Sequence, residues 1–287
     1  MNAYTDARET VLITGATSGI GRELAREFAS HGHSLVIVAP VEAEAVTVAR
    51  QIGAEFGVPA RAIARDLRRA GAAGDIFAEL TAAGIRVDIL CNNAGVGQRG
   101  KFWEIPLDRD VAMIRLNVEA VIRMTKRFLP PMLRRGQGRV LNTASIAAFA
   151  PGPMLAVYHA TKAFVLSWSE ALATELQGTG VTVTALCPGP VDTDFFPKAD
   201  LTTTNIFQKG PVMTPQQVAG SAYEALMRAD RVIVPGATNK ALVYGSRLLP
   251  EAAQAKINEM MYQDAPADEQ TRERGDVETK EAGIPTD

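Results

Sequence analysis

Short runs of β-branched and apolar residues alternate along this chain with longer stretches whose apolar positions recur every three or four residues. Thr10–Thr14 (TVLIT) is such a run, ending at Gly15, and it predicts a buried strand. The stretch after it places Leu24, Ala25 and Phe28 at core spacing and closes at His31-Gly32, as a helix would. Ser34–Ala39 (SLVIVA) predicts the second strand, and Val41–Phe56 a helix ended by Gly57 with Pro59 beyond. Arg61–Ala64 gives a third strand, Asp75–Ala83 a helix stopped by Gly84, and Val87–Cys91 (VDILC) a fourth strand. A long helical stretch runs from Leu107 to Leu133, then Gly138–Thr143 (GRVLNT) is the fifth strand. Leu155–Gln177 is the next long helix, halted by Gly178 and Gly180, and Val181–Leu186 (VTVTAL) is the sixth strand. Arg231–Val234, framed by Asp230 and Pro235, supplies a seventh.

Strands alternating with helices at this spacing imply βαβ units. The expected fold class is α/β: a doubly wound, Rossmann-like parallel sheet of about seven strands with helices on both faces. No repeat or linker divides the chain, so residues 1–263 are expected to form one dinucleotide-binding and catalytic domain. Residues 264–287 carry almost no large apolar side chains and are expected to form a polar, disordered tail.

Composition narrows the partners. The 287 residues are 47% hydrophobic and 22% charged, with a formal charge of −2, which gives no reason to expect nucleic acid or an acidic membrane. The two cysteines, Cys91 and Cys187, sit in apolar runs and read as reduced, buried thiols of a cytoplasmic protein. Met1–Thr10 lacks the apolar stretch of a signal peptide, and no run approaches the roughly 20 apolar residues of a membrane span. No transmembrane segment and no metal site are expected.

The first strand–helix junction carries Gly15-Ala16-Thr17-Ser18-Gly19-Ile20-Gly21. Glycines there permit a tight turn and let backbone N–H groups approach a pyrophosphate, whose charge a helix N-terminus favours. Thr17 and Ser18 add hydroxyl donors. The carboxylate that commonly ends the second strand, and that excludes a 2′-phosphate, is replaced by Ala39-Pro40. No arginine stands there to attract the phosphate either, although Arg65 is expected nearby. The balance tips to NADP(H) over NAD(H).

From about Thr10 to Val234 the chain resembles the compact, single-domain branch of the short-chain dehydrogenase/reductase family. The elements that carry the resemblance fall in family order: Thr14–Gly21 (TGATSGIG), Asp66 after strand three, and Asn92-Asn93-Ala94-Gly95 after strand four. Asn117 in the long helix, Ser145 after strand five and Tyr158-His159-Ala160-Thr161-Lys162 follow, then Cys187-Pro188-Gly189-Pro190-Val191-Asp192-Thr193 after strand six. The resemblance implies that Asp66, with the Leu67 backbone, binds adenine, and that Asn93, Ala94 and Gly95 line the adenosine ribose. It further implies that Pro188, Gly189, Val191 and Thr193 enclose the nicotinamide and that Lys162 binds its ribose. Asn117 corresponds to the residue that holds a water linking the lysine to solvent.

Tyr158 and Lys162 are four apart on a helix and share one face. An ammonium close to a phenol favours its ionised form, so Lys162 is expected to lower the Tyr158 pKa. Tyr158 then passes a proton to or from the substrate oxygen, and Ser145 hydrogen-bonds that oxygen. His159 points about 100° away around the helix and is expected to pack or face solvent.

The segments expected around the nicotinamide are apolar: Ile146–Phe149, Met154, Leu155, Phe195 and Phe196. They suit a hydrophobic ketone or secondary alcohol, with Asp192–Met213 as a lid. A homodimer or homotetramer through the two long helices is implied by the resemblance. Two alternatives remain open. An epimerase or dehydratase also uses a Tyr-x3-Lys pair, yet fewer than 30 residues are expected to fold after the seventh strand. A non-catalytic NAD(P) sensor has no need of Ser145, Tyr158 and Lys162 together.

Overall fold

The computed structural model describes residues 9–246 and 249–272. In chain order the elements begin β1 (Thr10–Thr14), α1 (Gly19–Ser30), β2 (Ser34–Ala39), α2 (Glu42–Phe56), β3 (Ala60–Ala64), α3 (Ala72–Ala82) and β4 (Ile89–Asn92). They continue with α4 (Leu107–Ile114), α5 (Ala120–Arg135), β5 (Gly138–Thr143), α6 (Ala156–Glu175) and β6 (Val181–Leu186). Last come α7 (Phe195–Lys198), α8 (Asn205–Gln208), α9 (Pro215–Met227), β7 (Val232–Ile233), α10 (Ala237–Ser246) and α11 (Glu251–Tyr262). The seven strands form one parallel sheet in the order β3-β2-β1-β4-β5-β6-β7.

Side-chain alternation along each strand sorts the core into two layers. Val11, Ile13, Leu35 and Ile37 face α1, α2 and α9 through Leu24, Phe28, Ile52 and Leu226. Leu12, Val36, Val38 and Leu90 face the other way, onto Ile76 and Leu80 of α3 and Met124 and Phe128 of α5. Strands buried on both faces carry apolar residues at most positions, which is why the apolar runs were legible as strands.

The order reverses between β1 and β4. That switch point opens a crevice at the strand C-termini, where open α/β sheets bind ligands. Directly below it a buried polar ladder ties the middle of the fold together. Asn92 Nδ2 donates to Asn142 Oδ1 at 2.9 Å and to Thr125 Oγ1 at 3.1 Å, and Asn142 Nδ2 donates to Ser169 Oγ at 2.9 Å. The ladder fixes β4, β5, α5 and α6 to one another with polar groups that water cannot reach.

Several elements differ from expectation. The long helix expected over 107–133 is interrupted by a π-helical turn, Arg115–Glu119, between α4 and α5. β4 starts two residues later than expected because Asp88 is drawn off to serve β1, its carboxylate accepting from Thr10 N–H at 2.9 Å. After β7 the chain folds through α10 and α11, both inside the expected domain. The first residues of the expected tail are packed rather than loose. Asp264 pairs with Arg99 at 2.9 Å, and the Arg272 guanidinium donates to the carbonyls of Phe207 at 2.6 Å and Gly210 at 2.9 Å. The rest of that tail, residues 273–287, lies outside the described residues. No described helix is long and apolar enough to cross a membrane.

Truncating Asn142 to alanine strands the Asn92 and Ser169 side chains in the interior. Asn142→Ala is therefore expected to lower stability by about 2–3 kcal/mol, read as a reduced midpoint with an unchanged slope in urea denaturation.

Candidate active site

The glycine-rich turn is shaped by close approaches. Gly15 has φ +67°, a left-handed conformation, and a methyl group there would lie 2.9 Å from Ala94 Cα. A methyl on Gly21 would overlap the Gly15 carbonyl and the Asn93 amide. Thr14 and Asn93 brace this turn against the end of β4. Thr14 Oγ1 accepts the N–H groups of Asn93 at 2.9 Å and Ala94 at 3.0 Å, and Asn93 Nδ2 donates to Thr14 O at 3.1 Å. Ser18 is the N-cap of α1, yet its side chain makes no capping bond. The first N–H groups of a 12-residue helix thus face the crevice beside two hydroxyls. A glycine-lined turn with uncapped helical N–H groups is the donor set that a pyrophosphate needs, so the residues fit a dinucleotide.

On the far side of the crevice, β5 delivers Thr143 and Ser145. Lys162, on α6 and only 5% exposed, donates from Nζ to Thr143 O at 2.8 Å. Thr143 Oγ1 in turn donates to Asn93 Oδ1 at 3.3 Å, which links the two halves of the site. Gly95 makes room for this arrangement, since a methyl there would stand 3.3 Å from both Asn117 Oδ1 and Lys162 Nζ. Asn117 lies in the π-helical turn and clamps the Val96 backbone at 2.9 and 3.0 Å, while its Nδ2 also donates to Thr161 Oγ1 at 3.1 Å. Interrupted helices of this kind are common at functional sites, because the extra residue re-aims a side chain.

Ser145 Oγ accepts the Ala147 N–H at 3.1 Å and donates weakly to Pro188 O at 3.5 Å. Tyr158 packs among Leu155, Phe196 and Tyr262, with the Phe195 ring centroid 5.4 Å from its own. Lys162 Nζ lies 5.8 Å from the Tyr158 ring centroid. Burial pushes the Tyr158 phenol up to about 12, and the Ser145 hydroxyl bonded to it pulls the other way. Burial also brings Lys162 down to about 8, against the opposing pull of Cys187. The expected lowering of Tyr158 by Lys162 is not what the structure has. The ammonium spends its hydrogen bond on a carbonyl, and the apolar surroundings of the phenol dominate.

Two other expectations also shift. Arg65 turns away from the end of β2 and pairs with Glu79 of α3 at 3.2 Å, although its N–H still donates to Ala39 O. Asp66 holds Arg68 with both carboxylate oxygens, at 2.8–3.1 Å, and that bond keeps its carboxyl below the usual range. Leu67 is buried beneath it. Ile20 packs onto the β1–α1 core layer. Gly189 lies against Asn239, and Thr193 against Gly19, so the loop after β6 closes onto the glycine-rich turn. The expected lid is pinned at its base, where Asp192 N–H donates to Met213 O and Met213 N–H to Pro190 O, both at 2.9 Å.

Sequence reading missed the brace residues Thr14 and Thr143, whose signal is only a hydroxyl at the last position of a strand. It also missed Tyr262, whose hydroxyl donates to His159 Nε2 at 2.7 Å from 103 positions away. No local pattern marks that pair.

Comparison with known proteins agrees with this geometry. Residues 9–203 match the family model of short chain dehydrogenases. An oxidoreductase of Mycobacterium tuberculosis is 33% identical over 84% of this chain, which spans only 43% of that relative's length. A short-chain dehydrogenase from Sphingobium yanoikuyae, solved in complex with NADPH, superposes with a TM-score of 0.76 at 31% identity, covering 91% of this chain and 99% of its own. A bulky-bulky ketone specific alcohol dehydrogenase from Comamonas testosteroni superposes with a TM-score of 0.70 at 30% identity, over 84% and 92% of the two chains. With its glycine-rich turn, its Tyr158–Lys162 pair and two thirds of its length matched in order, the chain belongs to the short-chain dehydrogenase family of oxidoreductases.

Proposed function

We propose that the protein exchanges a hydride between a nicotinamide dinucleotide and a hydrophobic ketone or secondary alcohol, with Tyr158 as general acid and base. The observation that carries this reading is the convergence of Tyr158, Ser145 and the buried Lys162 at one end of a crevice whose other end is a pyrophosphate-type turn. The bound dinucleotide supplies or accepts the hydride at the carbonyl carbon. The residues of the chain do the rest.

Backbone N–H groups at Thr17–Gly21 hold the phosphates, and Gly95 and Asn93 border the ribose. Lys162 keeps two N–H donors for the nicotinamide ribose hydroxyls once the third is on Thr143. Ser145 orients the substrate oxygen and Tyr158 donates its proton to it in reduction. A phenol with a pKa near 12 holds that proton at neutral pH, which suits the reductive direction. Asn117, anchored by Val96 and Thr161, orders the solvent link behind Lys162. Asp66 would share its carboxylate between Arg68 and the adenine.

The apolar ring of Leu155, Phe195, Phe196 and Tyr262 around Tyr158 supports an apolar substrate. The names of the relatives point the same way, among them the bulky-ketone enzyme and a very-long-chain 3-oxoacyl-CoA reductase of Anas platyrhynchos. The uncharged end of β2 at Ala39-Pro40 supports NADP(H) over NAD(H), as does the NADPH bound by the Sphingobium relative. Exposed Leu107 and Ile114 on α4 and Phe164 on α6 support a homodimer through those helices.

A panel of ketones with NADPH or NADH, followed by the absorbance of the reduced cofactor, tests the activity directly; no turnover with any ketone overturns the reading. In that assay Tyr158→Phe is expected to lose about 10²–10⁴-fold in kcat while dinucleotide affinity, read by fluorescence titration, changes little. The kcat/KM for the dinucleotide, which reports the free enzyme, is expected to be flat below pH 8. It falls as pH rises through about 8, because Lys162 loses the charge that binds the ribose. Pro40→Asp, at an exposed position, is expected to raise the KM for NADPH about tenfold by like-charge repulsion and to leave that for NADH nearly unchanged.

A further inference from the structure

A partly open cavity of about 240 Å³ lies behind the 3-10 turn Ile146–Phe149 that begins one residue after Ser145. Its walls include Ile146 and Phe149 of that turn, Ile206 of α8, Val243 of α10, and Ile257 and Met261 of α11. No Asp, Glu, Lys or Arg stands among the described residues that line it. The polar groups at its floor satisfy each other. His159 Nδ1–H donates to Ala150 O at 2.8 Å, and Nε2 accepts the Tyr262 hydroxyl at 2.7 Å. Burial, the largest influence on the ring, moves the His159 pKa down and so favours the neutral imidazole in which Nε2 accepts that hydroxyl.

Packed protein interiors hold few voids larger than a water molecule, and an apolar cavity of about 150 Å³ is enough to take up a benzene ring. This one is larger. Three of its side chains, Ile206, Met261 and Tyr262, also belong to the apolar cluster around Tyr158. The outer wall is held in place by its own bonds, Asn258 Nδ2 donating to Pro151 O at 2.7 Å and Asn205 Nδ2 to Met260 O at 3.0 Å. The cavity is therefore walled by bonded elements, uncharged, and shares part of its wall with the side chains that pack around Tyr158.

We propose that this cavity is a subsite for the longer apolar arm of the ketone, with the His159–Tyr262 pair fastening α11 as its wall. The inference rests on the ketone-reductase reading and adds which end of the substrate the protein selects. An unbranched alkyl arm enters past Met261, while the carbonyl stays between Ser145 and Tyr158. The other arm lies toward the lid.

A homologous series from butan-2-one to undecan-2-one, with NADPH, tests it. In the native protein kcat/KM is expected to rise about threefold to fourfold per added methylene until the cavity is filled. Ile257→Trp, which fills the cavity from a side chain that is 42% exposed, is expected to cut the long-to-short ratio of kcat/KM about tenfold or more. Ala241→Trp, on the exposed face of α10, is expected to do the same and covers a folding failure of the first variant. An unchanged ratio in the folded variants overturns the subsite. Calorimetric titration of undecan-2-ol into the cofactor-free protein decides the question without turnover. Binding that is lost in the tryptophan variants supports the subsite, and binding that is absent or unaffected overturns it. If no ketone is reduced but the alcohol still binds there, the catalytic reading fails and the cavity assignment stands.

Discussion

A buried ammonium sets the terms for everything near it. Moving a lysine out of water is costly unless its N–H groups find partners, and Lys162 is only 5% exposed. The end of β5 answers with the Thr143 carbonyl, Gly95 withholds a side chain, and the Tyr158 ring lies within cation–π reach. Thr143 then passes the constraint on, its hydroxyl to Asn93 and Asn93 to Thr14 and the glycine-rich turn. One chain of hydrogen bonds thus runs from the lysine on α6 to the phosphate turn after β1. The two halves of the crevice cannot shift independently.

The strands were legible to the residue where nature used unbroken β-branched runs between punctuation. β1, β2, β5 and β6 have the bounds that their sequences imply, because burial on both faces favours β-branched and apolar residues between the glycine and proline punctuation. Glycine spacing and the Tyr158–Lys162 interval were legible too, since both are local. What was not legible depends on partners far along the chain. The π-helical turn at Asn117 adds one residue to a helix without disturbing its apolar spacing, and its cause is the Val96 backbone 21 positions away. β4 lost Asp88 to β1 for the same kind of reason. The ion pair of Arg65 follows from where Glu79 stands in space, which no count of residues reveals, whereas Asp66 pairs locally with Arg68.

The pKa of Tyr158 shows how far spacing can mislead. Two residues four apart share a helix face, but a shared face fixes neither the direction of the ammonium nor the polarity around the phenol. Here Lys162 reaches past the ring to Thr143, and four apolar or aromatic neighbours surround Tyr158. The phenol is raised, so the protein by itself stores a proton rather than releasing one. Any depression that oxidation of an alcohol demands must come from charge arriving with the dinucleotide, against a desolvation cost already built into the fold. Reduction meets no such obstacle.

The same apolar enclosure that raises the phenol also governs what reaches it. Phe195 and Phe196 come from the loop after β6, Leu155 from the residue before α6, and Tyr262 from α11, so three separate segments converge on one ring. Two of those segments are cross-bonded at Thr204 and Asp264, and Arg99 ties Asp264 to the loop after β4. His159 is the third tie. Next to Tyr158 in sequence but turned away from it in space, it uses both ring nitrogens to hold Ala150 and Tyr262. Burial favours the neutral ring, so Nε2 accepts the Tyr262 hydroxyl while Nδ1–H donates to Ala150 O. The residue beside Tyr158 therefore couples α6, which carries Tyr158 and Lys162, to α11, which walls the cavity.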